Sequence, residues 1–164
     1  MGLSIRLAEL TDIPCIVVGL KGFAALLQHE LLPDQQLALG VERLIADENT
    51  DFLVAIGAHG GCVGFLQQRY RYSIWVSGPE ANIEDVFVDA RSRKKGFGRK
   101  LMDAAIAQAV MRGCKRVTLD VIETNYGAVK IYEQMGFSCV RRRSVSESDP
   151  VTEGRQLFMV LTLT

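Results

Sequence analysis

Histidine and cysteine are scarce in this chain: His29 and His59, with Cys15, Cys62, Cys114 and Cys139, are all that its 164 residues carry. No C-x-x-C pair occurs, and neither histidine lies near a cysteine in the sequence. Neither a metal site nor a Cys/His nucleophile pair is therefore expected. The cysteines sit within apolar segments and read as reduced core thiols rather than as a disulfide framework.

Net charge is missing too. Nineteen basic and nineteen acidic residues cancel, so no global field draws the chain to nucleic acid or to an anionic membrane, and neither partner is expected. Long apolar runs are absent: the stretch from Ile13 to Leu20 contains Pro14, is too short to span a bilayer, and follows Asp12 rather than a basic segment. Neither a signal peptide nor a transmembrane helix is expected. Met1-Gly2-Leu3-Ser4-Ile5-Arg6 lacks the Ser or Thr that myristoylation requires at the sixth position, and the expected location is cytoplasmic. Repeats, linkers and low-complexity tracts are also lacking. With 48% hydrophobic residues, positions 1–164 read as a single domain able to bury its own core.

What is present alternates between strand and helix periods. Ser4 to Leu7 reads as a strand, and Thr11 or Asp12 as the cap of a helix running to about Leu27. After a break at Leu32-Pro33-Asp34, Leu37, Val41, Leu44 and Ile45 mark a second helix. Phe52 to Ala58 reads as a strand, His59-Gly60-Gly61 as a turn, and Cys62 to about Trp75 as the antiparallel partner, with Gly64 at a bulge. A loop around Gly78-Pro79 leads to a strand from Asn82 to Val88.

From Gly98, helical spacing persists until Gly113, which suits a C′ position, and Arg116 to Val121 follows as a β-branched strand. Strand, helix and strand make a right-handed crossover in parallel order, so the sheet is expected to be mixed. Asn125 offers an N-cap to a helix whose face carries Ala128, Ile131, Tyr132 and Met135 and which Gly136 closes. Two antiparallel strands, Ser138 to Arg143 and Gln156 to Leu163, end the pattern, joined by a polar connection from Ser144 to Gly154 that is expected to be mobile. Arg141, Arg142 and Arg143 read as a solvated strand edge.

Charge is concentrated at one place. Six of the ten residues from Arg91 to Lys100 are Lys or Arg, and they surround Gly96 and Gly98 between an apolar strand and a helix start. Glycines free of Cβ let backbone N–H groups turn toward one ligand, and the helix behind them adds the positive end of its dipole. A phosphorylated ligand is the guest such a cradle suits. A dinucleotide fold fits poorly: Leu101 stands where its third glycine belongs, and the glycines begin eight residues after Val88 instead of directly after the strand.

Arg93-Lys94-Lys95-Gly96-Phe97-Gly98 resembles the acyl-CoA pyrophosphate loop of the GCN5-related N-acetyltransferase (GNAT) superfamily, Arg/Gln-x-x-Gly-x-Gly/Ala. Downstream, Asn125 to Phe137 resembles the superfamily pattern Asn-x-x-Ala-x-x-x-Tyr-x-x-x-Gly-Phe, in the expected order. The resemblance implies an α/β fold with a central mixed, mostly antiparallel sheet flanked by helices and splayed where acetyl-CoA enters. It implies transfer of an acetyl group from acetyl-CoA directly to a primary amine of a small molecule (a polyamine, an amino acid or an aminoglycoside-like compound) or of a peptide. A non-catalytic acyl-CoA-binding regulatory module is the alternative. Homodimers are common among the resembled proteins, but the residues do not report on assembly.

Roles follow from the same resemblance. The backbone of Lys95, Gly96, Phe97, Gly98 and Arg99 would hold the pyrophosphate, with charge from Arg93 and Lys94; Asn125 and Ala128 would lie near the pantetheine arm. The strand Val86-Phe87-Val88 would pair with that arm and turn an N–H to the thioester carbonyl. Tyr132 matches the general acid that protonates the departing thiolate, since a phenol stays protonated at neutral pH. Around Ile83-Glu84-Asp85 the sequence looks like that of polyamine-type acetyltransferases, which makes Glu84 the leading base, with Asp85 or water as alternatives.

Overall fold

The computed structural model describes residues 2–27, 30–144 and 154–164. The expected connection from Ser144 to Gly154 therefore falls almost wholly outside the described residues. Contacts divide the chain into two compact units, Met1–Arg69 with Glu84–Ala107, and Tyr70–Ile83 with Gln108–Thr164. Seven strands hydrogen-bond in the order β1-β2-β3-β4-β5-β7-β6.

In the first unit, β1 (Ser4–Leu7) pairs antiparallel with β2 (Thr50–Ile56), which pairs antiparallel with β3 (Cys62–Ser73). The register slips where Ala55 faces Gly64 and Ile56 faces Cys62, so the bulge expected at Gly64 leaves its neighbour Val63 as the extra residue. Helices α1 (Ile13–Leu27) and α2 (Asp34–Ile45) contribute Ile16 and Val41 to a core completed by Phe52, Val54 and Phe65.

Asp12 does not cap α1 as expected. It belongs to a 3-10 turn, accepts from the Glu9 N–H at 2.7 Å, and receives both terminal nitrogens of Arg6 at 2.7 and 3.0 Å. Burial alone would raise its carboxyl; the hydrogen bonds from Arg6 and Glu9 outweigh burial and hold it below its ordinary value. Another expectation fails at α1: Cys15 and Cys62 form a disulfide tying α1 to β3. Residues 47 apart in sequence meet only through the fold, so spacing could not reveal the pair. Of the other two cysteines, Cys114 is buried, whereas Cys139 is exposed and is no core thiol.

In the second unit, the first half of β4 (Gly78–Val88) runs parallel to β5 (Arg116–Ile122), from Glu80 opposite Arg116 to Ile83 opposite Leu119. Strand β7 (Arg155–Thr162) pairs antiparallel with β5 on one side and with β6 (Ser138–Ser144) on the other. The last two strands thus enter in reverse order, with β6 at the edge. Val117, Leu119, Val121, Leu157 and Met159 are buried. Gly78 and Pro79 already belong to β4; the turn expected there lies upstream, where Ser77 takes a positive φ of 49°. Pro79 still serves the ladder, because its carbonyl accepts from the Lys115 N–H at 2.8 Å.

A buried carboxylate anchors a polar cluster in this second unit. The Glu80 side chain, 1% exposed, accepts from Arg71 Nε at 2.7 Å and from Arg116 Nε at 2.6 Å. Burial would push its carboxyl up, yet the two guanidiniums hold it below its ordinary value.

Candidate active site

In the first unit the site begins on the last turn of chain before the basic loop. Phe87 packs edge-on against Phe23 with ring centroids 5.5 Å apart, and at 6.2 Å from Phe65. Gly19 of α1 makes room for these rings: a Cβ there would lie 2.5 Å from Phe65 and 2.9 Å from Phe87. Gly64 on β3 meets the Phe87 main chain so closely that a Cβ would collide with its carbonyl oxygen. The Asp89 N–H then bonds to the Val63 carbonyl at 2.8 Å. Phe87 and Val88 are held by ring packing and by backbone contact together.

A short 3-10 turn, Ala90–Ser92, leads into the basic loop. Arg93 Nε donates to the Val88 carbonyl at 3.0 Å, folding the loop back on the strand it leaves. Lys94 and Gly96 take positive φ angles of 60° and 86°. Glycine tolerates that conformation without penalty, which explains Gly96; Lys94 accepts it at a cost of about 1 kcal/mol. These two turns point Lys95, Gly96 and Phe97 into the start of helix α3 (Phe97–Met111).

Phe97 is buried and anchors that start, and Lys100 makes the first helical bond, to Gly96. The N–H groups of Phe97, Gly98 and Arg99 have no partner within the helix, as its first turn dictates. At Gly98 an added Cβ would meet only Val88 Cγ2, at 4.0 Å, so the space over this first turn is open. Converging amides at a helix start, bare glycines, and Arg93, Lys94 and Arg99 form a donor set that fits a diphosphate.

Glu84 and Asp85 precede this stretch on β4. Glu84 is exposed; Asp85 is half-buried, and burial followed by repulsion from Glu84 pushes its carboxyl above its ordinary value. The sequence pattern ranked Glu84 first because motif position says nothing of desolvation.

In the second unit, helix α4 (Tyr126–Gln134) starts on Asn125, whose side chain accepts from the Ala128 N–H at 3.4 Å. Tyr132 lies two turns on, half-buried, its ring centroid 6.0 Å from that of the buried Phe137. Burial raises its phenol above the ordinary value. Gly136 closes the helix with a positive φ of 99°. Tyr126 is 77% exposed, off the packed stripe. The glycine loop and β4 site residues thus belong to one compact unit, and Asn125, Ala128 and Tyr132 to the other.

Two contacts had no sequence signal, one of them at a glycine read only as a bulge. Gly64 is set apart only by its approach to Phe87 across strands, and the Glu80 cluster joins residues 9 and 36 positions apart. Tyr70 is buried under Arg112, 3.9 Å from its ring centre, while Trp75 is 85% exposed. Among the described residues, no group of three or more His, Cys, Asp and Glu side chains is placed to hold a metal ion, and no helix is long and apolar enough to cross a membrane.

Comparison with known proteins gives this arrangement its family. The family model described as acetyltransferase (GNAT) family matches residues 22–137, which include the glycine loop, α3, β5 and α4. The chain is 36% identical over 95 residues to the L-ornithine N5-acetyltransferase NATA1 of Arabidopsis thaliana, covering 58% of this chain and 38% of that one. It is 36% identical over 121 residues to the streptothricin acetyltransferase of Streptomyces lavendulae, covering 73% and 61%. The aligned chain thus spans less than two thirds of the length of either relative. The structure of a GCN5-related N-acetyltransferase from Kribbella flavida superposes with a TM-score of 0.82 at 24% identity, covering 98% of each chain, and so shares the fold. With its glycine loop, its asparagine-capped helix and its mixed sheet, the chain belongs to the acetyltransferase (GNAT) family.

Proposed function

We propose that residues 1–164 act as one N-acetyltransferase domain, which transfers an acetyl group from acetyl-CoA directly to a primary amine of a small molecule or peptide. One observation carries this reading: the positive-φ turn at Gly96 that aims the first N–H groups of α3 into a basic loop. Amides of Lys95 to Arg99 bind the diphosphate, and Arg93 and Lys94 add neutralising charge. An N–H of the Val86–Val88 strand polarises the thioester carbonyl; removing such a donor costs about 10²–10³ in rate. Asn125 and Ala128 flank the pantetheine arm at the start of α4.

Tyr132 holds the proton for the departing thiolate. With its phenol raised by burial, Tyr132 stays protonated throughout the neutral range. Proton removal from the attacking ammonium falls to Glu84, directly or through water. Asp85 is the competitor for this role, since burial and the neighbouring Glu84 push its carboxyl above its ordinary value. The expected seat of the reaction is the cytoplasm.

Free-thiol release from acetyl-CoA, measured with polyamines, amino acids, aminoglycosides and N-terminal peptides beside calorimetry of CoA binding, tests this reading. Turnover with at least one amine supports it. Tight CoA binding without turnover on any acceptor contradicts it and favours a binding module.

A further inference from the structure

Phe87 is held by two elements of the first unit, α1 and β3, and the Cys15–Cys62 disulfide joins those same two elements. Cys15, Gly19, Gly22 and Phe23 stand at i, i+4, i+7 and i+8 of α1, so they fall on one stripe of the helix. The last three meet Phe87: an added Cβ would lie 2.9 Å from its ring at Gly19 and 3.0 Å at Gly22, and the Phe23 ring packs edge-on at 5.5 Å. The first carries the bridge. On β3, Cys62 stands two residues before Gly64, which lies against the Phe87 main chain, and one before Val63, whose carbonyl accepts the Asp89 N–H at 2.8 Å. Cys62 and Phe87 also pack against the same core cluster.

Gly19 and Gly22 bring no side chain to this contact, so the height of α1 over the Phe87 ring is set by Phe23, by Ile16 in the core and by the bridge. A covalent tie one turn before Gly19, about 6 Å along the helix axis, limits how far α1 can slide or lift. Because the contact is close-packed, a shift of α1 or of the start of β3 is passed to the ring and to the main chain of Phe87 and Val88. Both cysteines are half-buried, within reach of a small dithiol. The free cysteines, Cys114 and Cys139, belong to the second unit.

We propose that Cys15 and Cys62 are positioning residues for the donor-binding strand: their bridge holds α1 and β3 closed on Phe87, and the oxidised chain binds acyl-CoA more tightly than the dithiol. This rests on the acetyl-transfer reading above, in which Val86–Val88 lies along the pantetheine arm, and adds redox control of the same site. The switching step needs a dithiol as reductant. One of its thiolates attacks a sulfur of the Cys15–Cys62 bond, and its second thiol resolves the mixed disulfide. Two electrons and two protons pass to the chain, which is left with two thiols, and the dithiol departs as its own disulfide.

S-ethyl-CoA, a thioether that takes no part in thiol exchange, is to be titrated calorimetrically into oxidised chain, into chain held in excess dithiothreitol, and into the double variant Cys15→Ala with Cys62→Ala. The oxidised chain is expected to bind about fivefold more tightly than the other two, which should agree with each other. Coupling is reciprocal, so saturating S-ethyl-CoA should move the chain's thiol–disulfide equilibrium in glutathione buffer toward the disulfide by the same factor, read by trapping thiols. A bridge that only supports the fold would move neither reading while the chain stays folded, which thermal melts and near-UV circular dichroism check in each condition. Equal affinities, an equilibrium that S-ethyl-CoA leaves in place, or a reduced chain that has unfolded overturns this inference while leaving acetyl transfer standing. No binding of S-ethyl-CoA in either redox state, with no thiol release from acetyl-CoA, overturns the transferase reading and the inference with it.

Discussion

Gly64 on β3 lies against the main chain of Phe87, where a Cβ would collide with the carbonyl oxygen and come within 3.2 Å of Val88 Cα. The obstacle is backbone, which cannot rotate away as a flexible side chain can. Gly64→Ala is therefore expected to push the site strand off its position, destabilising the fold by about 1–3 kcal/mol and weakening CoA binding. Urea unfolding and calorimetry read the two effects. Unchanged CoA affinity in a folded variant would show that the approach of β3 does not position the strand.

The buried Glu80 bridges two arginines, and losing its charge leaves both without their partner. Glu80→Gln is expected to cost about 3 kcal/mol in urea unfolding at pH 7. The pH dependence has a definite sign. Glu80 and Asp12 are held below their ordinary values in the folded chain, so their stabilisation is full above the unfolded values near about 4 and is lost as pH falls through the folded ones. Stability should drop steeply below about pH 4. Glu80→Gln should flatten that slope, and an unaltered slope would remove Glu80 from the acid response.

Which parts of this were legible in sequence depended on range. Gly96, Gly98, Gly113, Asn125 and Gly136 act on their immediate neighbours, and the pattern located each turn, cap and helix start from a few adjacent residues. Glu80 was invisible because its partners lie on β3 and β5, and a lone acid in a strand says nothing of what faces it. Cys15 and Cys62 were misread as free thiols for the same reason: each sits in an apolar segment, and only the packing of α1 on β3 brings them together. The reversed order of β6 and β7 likewise has no local signal, since antiparallel strands pair equally well on either side.

Asp85 and Glu84 are separable by titration. Burial and Glu84 raise the Asp85 carboxyl in the folded chain, so its contribution to stability falls as pH rises above the unfolded value near about 4. Asp85→Asn is expected to raise stability at pH 7, measured by thermal unfolding. Comparing Glu84→Gln with Asp85→Asn in kcat against pH then identifies the base: the variant that loses the acidic limb of the profile is the one that carried it. Equal profiles in both variants would leave proton removal to water.

The Cys15–Cys62 disulfide closes a loop of 47 residues in the chain-entropy picture, worth about 4 kcal/mol. Reduction is expected to lower the midpoint of unfolding in urea correspondingly. Thiol titration in denaturant should find two free cysteines before reduction and four after it. Four before reduction, in protein isolated with thiols trapped, would mean that the cell keeps this pair as a dithiol, as a reducing cytoplasm does.

Steady-state turnover of Tyr132→Phe beside wild type, with CoA affinity measured on the same samples, bears most directly on whether the α4 phenol protonates the leaving thiolate. The expected result is a fall in kcat of about 10²-fold or more, with the CoA dissociation constant within about twofold of wild type. Full turnover in a folded Tyr132→Phe protein would contradict it.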